Sequence, residues 1–175
     1  MQTKPTPEAY LHLLQTLAEQ GNPKAQYNLG AMLLHGQGVA RDDAAAAQWL
    51  RKAAEQGIPL AQHNLAVMLL QGQGVSRDPG EAARWFLAAA RQGEPRSQHT
   101  LGALYYEGLG VEQDVSQAYF WLCLSTTHTP AEFQSEAQAV QAHIAAQLSP
   151  EEQAKIQRQV AGWQPHPHGT PGNRR

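Results

Sequence analysis

A single cysteine, Cys123, stands in a chain of 175 residues. No intramolecular disulfide can form, which suits a reducing compartment, although many exported proteins also lack disulfides. No apolar run reaches the ~20 residues a membrane helix needs, so membrane insertion is not expected. The opening residues (Met1, Gln2, Thr3, Lys4, Pro5) lack the hydrophobic region of a secretion signal. As written the chain reads as cytoplasmic; a periplasmic protein whose signal peptide had been removed would read the same way. A dominant charge is missing too: 13 Lys and Arg face 15 Asp and Glu. Without a broad basic field to draw a phosphate backbone, nucleic acid is not an expected partner. No stretch alternates apolar and polar with period two, so no sheet is expected. What remains is 42% hydrophobic and rich in Ala, Gln, Leu and Glu, all good helix formers.

Self-similarity dominates the rest. Ala25-Gln26-Tyr27-Asn28-Leu29-Gly30 recurs as Ala61-Gln62-His63-Asn64-Leu65-Ala66, and more loosely as Ser97-Gln98-His99-Thr100-Leu101-Gly102, at an offset of 36 residues. At the same offset Gly36-x-Gly38-Val39 returns as Gly72-x-Gly74-Val75 and Gly108-x-Gly110-Val111. Asp42 returns as Asp78 and Asp114, and Trp49 as Trp85 and Trp121. A fixed period of this length is the signature of a repeat array.

Each unit resolves into two helices. The leading helix begins near a proline (Pro23, Pro59, Pro95), well tolerated at a first helical position. It stops at Gly36, Gly72 or Gly108, where a residue without Cβ can turn left-handed. The trailing helix starts at Asp42, Asp78 or Asp114, whose carboxylates can accept the orphan amides of a first turn. Gly30 and Gly102, in mid-helix, predict close approach of the trailing helix, with Ala66 the next smallest choice. Trp49, Trp85 and Trp121 are expected to fill the joints between units.

The ends depart from the pattern. Thr6-Pro7 opens a helix through Leu11, Leu14 and Leu17 that aligns with a trailing helix whose leading partner is absent. After the third unit come two more helices, marked by the capping boxes Thr129-Pro130-x-Glu132 and Ser149-Pro150-x-Glu152. The first carries Phe133, Ala137, Val140, Ile144 and Leu148, the second Ile156, Val160 and Trp163. Terminal capping pieces are what an array needs to cover its last exposed face. The expected organisation is one all-α domain over residues 6–163, of about nine helices. It comprises a half repeat at 6–20, repeats at 21–56, 57–92 and 93–128, and caps at 130–163. A disordered tail is expected at 164–175.

Ala-x-x-x-Leu-Gly, then Gly-x-Gly-Val, then Asp, Trp and an Ala-Ala pair at this period resembles the Sel-1-like repeat, a relative of the tetratricopeptide repeat. The resemblance implies a right-handed α-solenoid of antiparallel helix pairs whose leading helices line a concave groove. It implies an adaptor or scaffold that binds a partner protein or peptide, not an enzyme, and a monomer when unbound. An immunity or regulatory protein that neutralises a toxin or enzyme is the alternative within the binding class. Hydrolase or β-lactam-binding activity goes with cysteine-rich relatives, and a chain with one cysteine does not match them.

By the same resemblance the groove row holds Tyr27, His63 and His99, then Ala31, Val67 and Ala103, then Leu34, Leu70 and Tyr106. Asn28 and Asn64 flank it, able either to pair with a peptide amide or to bond between neighbouring helices. Lys24 and Arg96 add positive charge at its edge, suited to a carboxylate. Other chemistry finds little support. Gly-x-Gly-Val lacks the strand and third glycine of a dinucleotide site. His63 and His99 without a carboxylate or thiolate make an incomplete metal site. Cys123, within Trp-Leu-Cys-Leu, reads as a small apolar residue. No catalytic residue, metal or cofactor is expected.

Overall fold

The computed structural model describes residues 6–127 and 134–166, and every regular element among them is an α-helix. In order these are α1 (Pro7–Glu19), α2 (Pro23–His35), α3 (Asp43–Glu55), α4 (Pro59–Gln71) and α5 (Pro79–Arg91). There follow α6 (Pro95–Glu107), α7 (Val115–Thr126), α8 (Gln134–Ala145) and α9 (Pro150–Ala161). The leading helices α2, α4 and α6 each pack most extensively on the trailing helix that follows, and each trailing helix packs on the next leading one. The chain is an α-solenoid.

Local chemistry places the helix ends where the motifs put them. Asp42, Asp78 and Asp114 sit one residue before α3, α5 and α7 in extended backbone. Their carboxylates accept from the amides of Ala45, Glu81 and Gln117 at 2.9, 2.8 and 2.9 Å. Thr6 and Ser149 cap α1 and α9 in the same manner, and Glu152 closes a complete capping box. The box expected at Thr129–Glu132 lies outside the described residues, as does Phe133.

Two close approaches set the helix spacing. A Cβ on Gly30 would stand 2.8 Å from Leu50 Cγ, and one on Gly102 would stand 2.7 Å from Leu122 Cγ. The mid-helix glycines therefore admit the trailing helix, as expected from their positions. The second approach joins successive units: a Cβ on Gly74 would lie 2.3 Å from Asp43 O, and one on Gly110 2.1 Å from Pro79 O. The Gly74 and Gly110 loops thus lie directly on the first turn of the preceding trailing helix.

Trp85 and Trp121 are buried in the central core with Leu50, Leu65, Phe86 and Leu101. Trp49 departs from its expected role. It is only half-buried, against Leu14, Ala18, Ala25 and Leu29, with Lys52 Nζ 4.2 Å from its ring centroid. Among the described residues no leading helix precedes α1. At the end of the chain, Ile144 of α8 and Ile156 of α9 cover Ala118, Tyr119 and Leu122 of α7.

The tail also differs from expectation at its start. Gln164–His166 do not drift from α9: the His166 amide donates to Arg91 O at 2.7 Å, and Pro165 rests against Gly93. The bond supplies a donor to a helix-terminal carbonyl, which a composition argument for disorder cannot foresee. Residues 167–175 lie outside the described residues.

Candidate functional site

The leading helices carry the candidate face, and its thirteen positions fall into two groups. On α2, Lys24 and Asn28 are exposed while Tyr27, Ala31 and Leu34 are half-buried. On α4, Asn64, Val67 and Leu70 are half-buried; on α6, His99 is exposed and Ala103 half-buried. Tyr27, Leu34, Val67 and Leu70 rest their inner edges on the central core and leave their outer edges uncovered. Asn28 and Asn64 make no hydrogen bond to another described residue, so the inter-helix pairing open to them is not formed. At the α1 end, Tyr10, Tyr27, Asn28, Ala31, Met32 and Gln37 line an open cleft of ≈ 450 Å³.

The other three positions are already engaged. His63 is 8% exposed, edge-on to Phe86 at 5.5 Å between ring centroids. Its Nδ1 lies 2.9 Å from Ser97 Oγ and 3.4 Å from Glu94 Oε2. Glu94 caps α6 through the Ser97 amide and accepts from Arg96 Nε at 2.9 Å. Arg96 therefore spends part of its fork within the chain. Tyr106 is half-buried, and its hydroxyl lies 3.1 Å from His143 Nε2 of α8 and accepts from Gln147 Nε2 at 3.0 Å. Serine, histidine and glutamate are the residue types of a hydrolytic triad, but Ser97 is wholly buried and one ring nitrogen faces both partners. A nucleophile needs access and a base oriented from its far side, so this cluster is a structural joint.

That joint has a pH signature. Burial, opposed by the Glu94 charge, holds the His63 imidazole below its ordinary value. Burial pushes the Glu94 carboxyl up, but hydrogen bonds from Arg96 and Ser97, with His63, hold it net below the usual range. Depressed folded values mean that the unfolded chain binds more protons, so both groups stabilise at higher pH. For His63 the contribution is present above about 6.5 and is lost as pH falls through the folded value; Glu94 follows below about 4.5. Thermal melts should therefore fall between pH 7.5 and 5.5, and His63→Asn should flatten that segment. An equally steep slope in the variant would assign the effect elsewhere.

A ladder of glutamines escaped the sequence reading of roles. Gln26, Gln62 and Gln98 are buried, and each Nε2 donates at 3.1 Å to the carbonyl eight residues earlier, of Ala18, Ala54 and Ala90. Gln56 and Gln92 donate to the side-chain oxygens of Gln26 and Gln62 at 2.7 and 2.8 Å. The available signal was recurrence: an amide returning every 36 residues on an otherwise apolar face. Gln153 of α9 repeats the bond, to Ala145 O at 2.8 Å, so the α8–α9 junction is built like those of the array.

Elsewhere, burial raises the Cys123 thiol above its ordinary value, which favours its protonated form. Among the described residues no three His, Cys, Asp or Glu converge on a metal site, and no helix is long and apolar enough to cross a membrane.

The sequence matches the Sel1 repeat three times, over residues 23–58, 59–94 and 95–127. No curated protein matches the chain. Among solved structures it is similar to a Sel1 repeat protein from Oxalobacter formigenes, at 34% identity and a TM-score of 0.65, covering 74% of this chain and 97% of that one. It also matches a protective antigen of uropathogenic Escherichia coli displaying an SLR fold, at 28% identity and a TM-score of 0.47. That match covers 96% of this chain and 46% of the antigen. With the three matched repeats spanning more than half of its length, the chain belongs to the Sel1 repeat family, whose members are generally protein–protein interaction modules.

Proposed function

We propose that this chain is an adaptor that holds a segment of a partner protein along the leading helices α2 and α4. The observation that carries the reading is the open row itself. Ala31 and Leu34 on one helix and Val67 and Leu70 on the next are half-buried at matched repeat positions, with half-buried Tyr27 and Asn64 beside them. Half-buried apolar side chains at a fixed spacing form successive subsites for an extended or helical segment. Two amides without partners among the described residues, Asn28 and Asn64, supply donors and acceptors for its backbone. His63 and Tyr106 belong to the scaffold, which limits the open row to its α1 end and middle.

The test follows from that division. Tyr27→Ala with Asn28→Ala and Asn64→Ala should reduce capture of the native partner at least about 10-fold, the equivalent of a few lost contacts. The helical circular dichroism should stay at the wild-type level, because none of the three side chains is wholly buried. Undiminished capture by this folded variant would move the binding surface off α2 and α4.

A further inference from the structure

Each trailing helix that precedes a leading helix ends on a carbonyl that the chain cannot satisfy locally. The residue four positions after Glu19, Glu55 and Arg91 is Pro23, Pro59 and Pro95, which has no N–H to donate. The intervening amides are used elsewhere: Asn22 donates to Leu17 O, Ile58 to Ala53 O and Glu94 to Ala89 O. Three orphan acceptors therefore recur along one edge of the solenoid, one per turn. At the third turn the acceptor is filled, by the His166 amide at 2.7 Å. Pro165 Cγ and Trp163 Cη2 lie 3.4 and 3.9 Å from where a Cβ on Gly93 would stand, and Trp163 is half-buried against the central core. The segment Trp163–His166 is thus a ligand seated in cis. The other two turns share the backbone of Gly93 (φ 89): Gly57 has φ 86 and Gly21 φ 89. Among the described residues a Cβ on either would meet nothing within 4 Å. Among the described residues no amide reaches Glu19 O or Glu55 O.

We infer that this row of turns is a second protein-binding edge, and that the Gly57 turn takes an extended segment of another protein with an aromatic residue, a proline two positions on, and a basic residue next. The aromatic and the proline are read from Trp163 and Pro165. The basic residue follows from charge: exposed Glu55 stands at the Gly57 turn where Arg91 stands at the filled one. Phe120, which lines one cleft with Trp163, is replaced one unit earlier by exposed Arg84. A guanidinium there can stack on an incoming aromatic ring. This edge is formed by the turns before the leading helices and shares no residue with the Tyr27–Asn64 row, so either surface can fail without the other.

A synthetic peptide reproducing residues 160–166, titrated into the isotope-labelled full chain, tests the assignment. Saturable amide shifts at Gln56, Gly57 and Ile58 are expected. Replacing the peptide's tryptophan by alanine should weaken binding at least about 10-fold, and Glu55→Lys in the protein about 3-fold. In Trp163→Ala the peptide should additionally shift Gln92, Gly93 and Glu94, because the cis occupant has lost its ring. Should that variant loosen α9, the wild-type titration still decides. Absence of shifts at Gly57 up to millimolar peptide, or shifts confined to α2 and α4, would overturn the inference. So would shifts at Gly57 that grow on concentrating the protein alone and vanish in Trp163→Ala, since a second copy would then be the occupant.

Discussion

Trp85→Ala is expected to lower stability by about 3–5 kcal/mol, the usual cost of truncating a buried aromatic side chain. The ring lies in the central core between units, and its Nε1 donates to Glu81 Oε1 at 3.1 Å. Glu81 also accepts the guanidinium of Arg51 from the preceding trailing helix, and that hydrogen bond holds its carboxyl below the usual range. Losing the ring therefore opens a cavity at the joint of α3 and α5 and removes one donor from a carboxylate that ties them. For a chain of this size the loss corresponds to a melting temperature lower by about 6–20 °C. Because the stability of an array is a sum of unit and nearest-neighbour terms, the transition should also broaden as the halves uncouple. Trp49→Ala should cost much less, since its ring is half-buried. Equal melting temperatures for Trp85→Ala and the wild type would show that the ring does not hold the joint.

The second large effect separates two glycines that look identical in sequence. Gly38 and Gly110 occupy the same place in Gly-x-Gly-Val and both are left-handed, at φ 72 and 75. An L side chain at such a φ costs about 1–2 kcal/mol. For Gly38 the cost should stop there, because the nearest atom to a Cβ is Met32 Cε at 3.6 Å. For Gly110 the same Cβ would lie 2.1 Å from Pro79 O and 2.4 Å from its carbonyl carbon, so the loop must lift off the first turn of α5. The sum for Gly110→Ala is about 2–5 kcal/mol. Parallel denaturant titrations should place Gly110→Ala clearly below Gly38→Ala. Coincident midpoints would mean that the loop-to-helix approach contributes nothing to the joint.

Much of the architecture was legible because it is local. A proline at the first helical position, an aspartate one residue before a helix and a glycine just past its end each act within one turn of backbone. The repeat then supplied three independent readings of each device. The partial burial of Trp49 was not legible, because it depends on which side chains α1 and α2 bring against it. Nor were the glutamine bonds: Gln26 and Gln62 look like surface residues in composition, and become core residues only when a neighbouring turn aims Gln56 and Gln92 at them.

The candidate face divides along the same line. Its register on α2, α4 and α6 was readable, since side chains 36 residues apart take the same place on successive helices. Which rungs stay open was not. Tyr27 and His63 are equivalent in sequence, yet His63 is closed off by Ser97 and Glu94 of the following unit, where the first joint has Ala61 and Ile58. The Tyr106 hydroxyl is engaged from outside the repeat, by His143 of α8 and Gln147 just beyond it. By itself the sequence determined the helices, their caps, the unit and its period, all consequences of short-range backbone chemistry repeated in register. Only the tertiary structure decided which side chains face solvent and which turn holds the chain's own tail. Exposure is set by the neighbours that the next element brings, and those neighbours differ where the backbone repeats.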